Sequence, residues 1–192
     1  HAITALIAGF LNENPDMTLQ TIEGDSTFVK ELLTDGKCDI AFLRSESSSV
    51  KEFNSIPYMI DYLTAVLPAT HPLAKADNLP FEQLRGETFL LFPEHSFIND
   101  LCIRECRNAG FEPHIAYTGN RGATLIDLVR NGAGITLMMH HSARQENDSS
   151  LAFIPVTPGI YSYISLNYAK EKPLSPQAES FVRYVKAHKR DF

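Results

Sequence analysis

The chain has 192 residues, 44% of them hydrophobic, with 17 lysines and arginines against 23 aspartates and glutamates and a net charge of −6. That size and apolar content suffice for one packed domain or two small ones, and the acidic balance excludes a broad basic face for nucleic acid. No run approaches the roughly 18 apolar residues that would span a bilayer, and no basic–apolar leader opens the chain at His1. The three cysteines, Cys38, Cys102 and Cys106, form no disulfide framework, and an odd count fits a reducing cytoplasm.

Ile3, Leu6, Ile7, Phe10 and Leu11 follow the spacing of an amphipathic helix over 2–13, stopped at Asn14-Pro15. MTLQTIEG (17–24) alternates as a strand does. STFVKELLTDG predicts a helix whose start is capped by Asp25 or Ser26, with Phe28, Leu32 and Leu33 as its apolar stripe and Gly36 as its left-handed stop. CDIAFL (38–43) reads as a strand apolar on both faces, hence central in a sheet. Arg44 stands at its carboxyl end. IPYMIDYLTAVLP (56–68) is a long strand or strand pair. The alternation then restarts: a short helix at 79–86, a strand at 87–92, a helix at 96–110, a strand at 113–119, a helix at 121–132 and a strand at 133–139. After the polar loop ARQENDSS come strands at 151–156 and 160–170. A last helix follows, with Ala178, Phe181, Val182 and Val185 on one face. Helix–strand alternation predicts parallel α/β units, and two such units without a long linker predict two Rossmann-like lobes sharing crossing strands.

Ligands of open α/β sheets bind outside the carboxyl ends of the strands. Arg44 beside the helix start at Ser26 and Thr27 therefore suggests an anion site, since a helix N-terminus offers free N–H groups at a positive end. A solvated strand end and a plain helix cap are the structural alternatives. PEHSFIN (93–99) and YTGNRGA (117–123) are turns of the same kind. Ser96 and Asn99 would supply polar contacts from the first of these turns. Phe97, Ile98 and Tyr161 would form apolar walls, and Gly119 and Asn120 would let the backbone approach a ligand. His140-His141 lacks companions for a four-ligand metal set. Cys102 and Cys106, one helical turn apart, read as core rather than as a redox pair. No phosphate loop, dinucleotide fingerprint, nucleophile elbow or zincin motif occurs, so neither a cofactor nor an enzymatic activity is expected.

Taken in order, NPDMTLQTIEG, STFVKELLTDGKCDIAFLR, HPLA, LRGETFLLF, CRNAGFEP and TLIDLVRNGAGITL resemble the effector-binding domain of LysR-type transcriptional regulators over nearly the whole chain. The resemblance implies a type 2 periplasmic-binding-protein-like fold with lobe I at 1–68 plus 161–192 and lobe II at 69–160. A winged helix-turn-helix and a linker helix, absent from this chain, would carry DNA binding in the full-length protein. It further implies a small effector between the lobes, touched by Ser26 and by the Ser96–Asn99 turn, with Arg44 serving an additional pocket. Two departures stand out. Phe97 falls where peroxide-sensing members carry their reactive cysteine, and Met139 replaces the family's common proline, followed by two histidines.

The expectations are a cytoplasmic regulator without cofactor or membrane contact, reading a small anionic effector, most simply a carboxylate. A homodimer is expected through the helices 2–13 and 121–131, with Ala2, Ala5, Leu125 and Val129 as surplus apolar surface, and a higher oligomer at full length. The fragment itself should not bind DNA specifically, because its one basic cluster (Lys186, His188, Lys189, Arg190) closes a helix C-terminus, where the dipole already favours cations. The alternative is a solute-binding protein of a transport system, which shares the two-lobed architecture.

Overall fold

The computed structural model describes residues 2–143 and 148–188; part of the polar loop and the basic pair Lys189 and Arg190 lie outside the described residues. The chain forms two compact units, unit 1 from His1–Ile60 with Ser162–Phe192 and unit 2 from Asp61–Tyr161.

Unit 1 contains the helices α1 (Ala2–Glu13) and α2 (Ser26–Thr34), the strand β1 (Ala41–Ser45) and the first half of the long strand β2 (Phe53–Pro68). Leu6 and Phe10 of α1 are buried against Ile56, Tyr58 and Met59 of β2. On the other side Leu33 of α2 packs with Ala41, Leu43 and Phe53. Asp25 is the N-cap of α2, accepting from the Thr27 N–H at 2.9 Å. Gly36, at φ 68, ends the helix in the conformation only glycine adopts without cost.

Three expectations fail here for physical reasons. Residues 17–24 form no strand among the described residues. Their alternation tracks burial, Met17 and Leu19 packing on the α1 cluster, because periodicity reports which side chains turn inward and not whether a ladder partner stands alongside. Phe28 is not in the core: it is 47% exposed and folds back over Gly24, while Val29 and Leu33 face β1. β1 is shorter than 38–43 and pairs antiparallel with a later strand, at the end of the sheet order and not in its centre.

Unit 2 begins within β2 and continues through β3 (Leu79–Pro80), a 3-10 turn (Phe81–Leu84), β4 (Thr88–Leu91), α3 (Phe97–Asn108), β5 (His114–Thr118), α4 (Gly122–Arg130), β6 (Thr136–Met139), the short α5 (His140–Ala143) and β7 (Leu151–Thr157). β8 (Tyr161–Ala169) and α6 (Pro176–Ala187) return the chain to unit 1. There α6 buries Phe181, Val182 and Val185 against α1 and β2. The pairing is mixed, not purely parallel. β4 and β5 are parallel, and β4 meets β6 through a parallel bridge between Phe89 and Ile135. The second half of β2 runs antiparallel to both β6 and β7.

That register divides the core of unit 2. Leu63, Ala65, Leu67, Leu137 and Met139 face α3, with Leu101, Cys102 and Cys106. Val66 and Met138 face α4, where Leu125 and Val129 are fully buried. Those two residues are therefore core and not spare surface for a second chain. On the same side Thr64 and Thr136 are fully buried, and their hydroxyls have no hydrogen-bond partner among the described residues.

Two stability predictions follow from this packing. A Cβ on Gly134 would stand 2.4 Å from the Thr88 carbonyl, the acceptor of the Ile135 N–H that joins β6 to β4. Gly134→Ala is therefore expected to cost at least about 1–3 kcal/mol in urea unfolding, because the obstacle is backbone and cannot rotate away. Thr64→Val keeps the shape and removes an orphaned hydroxyl. It should gain about 1 kcal/mol, a rise of roughly 2–4 °C in melting temperature; unchanged or lower stability by calorimetry would show that the hydroxyl is satisfied.

Candidate functional site

In unit 2 the carboxyl ends of the parallel strands β4, β5 and β6 lie along one edge of the sheet. Three turns leave from it. The first, after β4, holds His95 at φ 65, an uncommon conformation for a residue with a side chain. It ends in Ser96, the N-cap of α3, whose Oγ accepts from the Asn99 N–H at 3.3 Å and donates to the Pro93 carbonyl at 2.7 Å. The buried Asn99 donates through Nδ2 to the Phe92 carbonyl at 2.8 Å, locking turn to helix. Phe97 and Ile98 are partly buried against the α3-side core.

The second turn follows β5. Gly119 donates to the Leu91 carbonyl at 3.0 Å, which ties this turn to the first. The Tyr117 ring covers Gly119, 2.7 Å from where a Cβ would stand, so the glycine accommodates its own chain's tyrosine and a ligand would have to displace that ring. Asn120 is exposed, and α4 begins after Arg121 without a side-chain cap.

The third turn follows β6, and it is the part that reading the sequence missed. Leu63 pairs with Met139, so the continuing antiparallel register sets Tyr62 opposite His140 and Asp61 opposite His141. The Tyr62 and His140 rings stack at 4.4 Å. Asp61, 0% exposed, accepts from the backbone N–H groups of Tyr62 (3.0 Å) and His141 (3.1 Å), and its Oδ1 lies 3.0 Å from His141 Nδ1. One acidic residue inside the apolar run IPYMIDYLTAVLP was the available signal, since carboxylates enter a core only when partnered. Tyr161, 57% exposed and folded over Gly159, belongs to the same edge, because the Leu63 N–H donates to the neighbouring Ile160 carbonyl at 2.8 Å.

In unit 1 the predicted residues also meet. Ser26 Oγ accepts from the Arg44 backbone N–H at 2.9 Å, and the Arg44 guanidinium donates to Oγ of the fully buried Ser162 at 2.6 Å. Thr27 is exposed, but its N–H is taken by Asp25 and is not free for a ligand. Ser26 keeps its own hydrogen to donate.

The cysteines stand apart from both sets. Burial pushes the Cys102 thiol well up, and pushes Cys106 up to about 12, with nearby glutamates adding to both shifts. A raised thiol pKa leaves almost no thiolate at neutral pH. Iodoacetamide at pH 8 should therefore spare Cys102 and Cys106 in the folded protein and modify them once urea unfolds it. Fast native labelling of either would contradict their burial. No cluster of three or more metal-ligating side chains occurs among the described residues.

Comparison with known proteins places this architecture. The family model described as the LysR substrate binding domain matches residues 1–190, and the chain belongs to that family, the ligand-binding regulatory domain of LysR-type transcriptional regulators. It is 25% identical over 184 residues to the transcriptional dual regulator GltC of Bacillus subtilis (strain 168), covering 95% of this chain and 61% of GltC. The chain thus spans about three-fifths of that relative's length. Among solved structures it resembles the Synechocystis PCC6803 CcmR regulatory domain in complex with 2-PG, with TM-score 0.88, 16% identity and coverage of 98% and 91% of the two chains. It also resembles the effector-binding domain of QuiR in complex with shikimate, with TM-score 0.80, 20% identity and coverage of 99% and 93%. The fold is type 2 periplasmic-binding-protein-like. These relatives are regulators, not enzymes, and no helix among the described residues is long and apolar enough to cross a membrane.

Proposed function

We propose that this domain binds a small anionic effector, a carboxylate before other chemistries, in the cleft between lobe I and lobe II. It passes that event to a DNA-binding segment of the full-length cytoplasmic regulator. The observation that carries the reading is the gathering of three strand-to-helix turns on the carboxyl edge of unit 2, two of them opening helices whose positive N-terminal ends favour an anion. Ser26 and Arg44, joined at the equivalent strand end of unit 1, supply the opposing contacts in this reading. Phe97, Ile98 and Tyr161 supply apolar walls, and Gly119 and Asn120 the third approach. The ligands named for CcmR and QuiR, 2-PG and shikimate, are small molecules, which supports a small effector here. Pairing into a homodimer through α1, whose Ala5 and Ala8 are exposed, belongs to the same proposal.

A thermal-shift screen of carboxylates, amino acids, aromatic acids, 2-PG and shikimate tests it. A ligand at about 100 times its dissociation constant stabilises the folded state by roughly 2.7 kcal/mol, a rise of about 5–11 °C for a chain of this length. Ser26→Ala and Ser96→Ala should each remove much of that shift, because a hydrogen bond to a charged group is worth about 1.5–3 kcal/mol. Wild-type affinity in both variants would mean that the two hydroxyls serve structure alone and that the effector sits elsewhere.

A further inference from the structure

The pair His140-His141 finds no use in the reading above, yet the structure gives it a defined setting. Asp61 lies on the same side of β2 as Leu63, which belongs to the core that Phe97 and Ile98 at the start of α3 pack against. The Asp61–His141 pair therefore occupies the same edge and the same face of the sheet as the Ser96 turn. An ionised carboxylate only accepts hydrogen bonds, so the contact to Asp61 fixes the hydrogen on Nδ1 of His141 and holds the ring by its inner nitrogen. The backbone N–H of His141 donates to the same oxygen, which holds the Asp61 carboxylate in place beside the ring. The outer nitrogen, Nε2, has no hydrogen-bond partner among the described residues, and the side chain is 48% exposed. His140, by contrast, is held against Tyr62, at right angles to its neighbour. A buried carboxylate, a clamped imidazole and an outward nitrogen form a pre-organised contact whose outer side meets no hydrogen-bond partner among the described residues.

We infer that His141 is a ligand contact of unit 2, positioned by Asp61, and that its Nε2–H takes an oxyanion (carboxylate or phosphate) of the effector. This rests on the effector reading given above. With the Nδ1 hydrogen committed to Asp61, the ring donates to an anion through Nε2 when that nitrogen carries a hydrogen as well. The polar groups sharing the edge favour an anion over a hydroxyl or an ammonium: the first-turn N–H groups of α3, the uncapped start of α4 and Arg121 all present positive ends. Among the described residues, the nearby carboxylates of Glu94 and Asp100 are exposed to solvent. The departure from the family's proline at Met139 acquires a role in this assignment, because it is followed by the residue that Asp61 holds.

Inorganic phosphate is the probe, titrated into uniformly 15N-labelled protein at constant ionic strength with chloride as the control. The His141 ring Nε2 should move saturably with phosphate, together with the backbone amides of Phe97 and Ile98, and not with chloride. His141→Ala removes a half-exposed side chain and should leave the remaining amide spectrum folded while weakening phosphate binding by about tenfold or more. Asp61→Asn should weaken it as well, and if that variant does not fold, His141→Ala decides alone. Saturable movement of Phe97 and Ile98 with a silent His141, or unchanged affinity in His141→Ala, overturns this inference and leaves the effector reading intact. Movement of His141 without the α3 amides supports the inference and removes α3 from the site. No saturable movement at either place overturns the inference, while the thermal-shift screen of carboxylates decides the effector reading separately.

Discussion

The pairing of β2 with β6 is the constraint on which the rest of unit 2 depends. Leu63 opposite Met139 and Val66 opposite Thr136 set every side chain of both strands to one face or the other, and a slip of one residue would exchange the faces wholesale. With this register, alternate residues of β2 feed the α3-side and α4-side cores. The same register, carried two residues past the last ladder pair, brings the Asp61 carboxylate to His141 and the Tyr62 ring to His140. One ladder thus builds the core and arranges the polar edge. It also leaves Thr64 and Thr136 with buried hydroxyls, since β-branched shape suits those places better than their chemistry does.

Polar burial is handled differently in unit 1. Asn167 of β8 is fully buried, but its amide donates to the Ser165 carbonyl and hydroxyl, and its oxygen lies 2.5 Å from the Ser55 hydroxyl. Satisfied networks of this kind specify one packing among several that apolar contacts alone would allow. Ser26, Arg44 and Ser162 follow the same rule nearer the strand end: the arginine is braced through both its backbone and its side chain. A guanidinium held in this way keeps one geometry.

Much of the fold was legible in the residues. The α1 stripe, the helix start at Ser96, the burial of Cys102 and Cys106, and the face of α6 all follow from local spacing and capping chemistry, which act within a few residues. The failures have one cause. The alternation at 17–24, the placing of Phe28 in a core stripe, the central position given to β1 and the spare surface assigned to Leu125 and Val129 each required knowing what lay alongside. An apolar residue states that it will be buried if something covers it; it does not state what.

The candidate site divides along the same line. By itself the sequence determined the kinds of group available: helix starts with hydroxyl caps, an arginine at a strand end, glycines in turns, two adjacent histidines. Those are local properties of hydrogen-bond donors, caps and backbone freedom. Only the tertiary structure decided that Asp61 and His141, 80 positions apart, share an oxygen-to-nitrogen contact of 3.0 Å, that Tyr117 fills the space at Gly119, and that Asp25 occupies the Thr27 N–H. Strand register and side-chain packing are cooperative over the whole unit, so no window of sequence contains them.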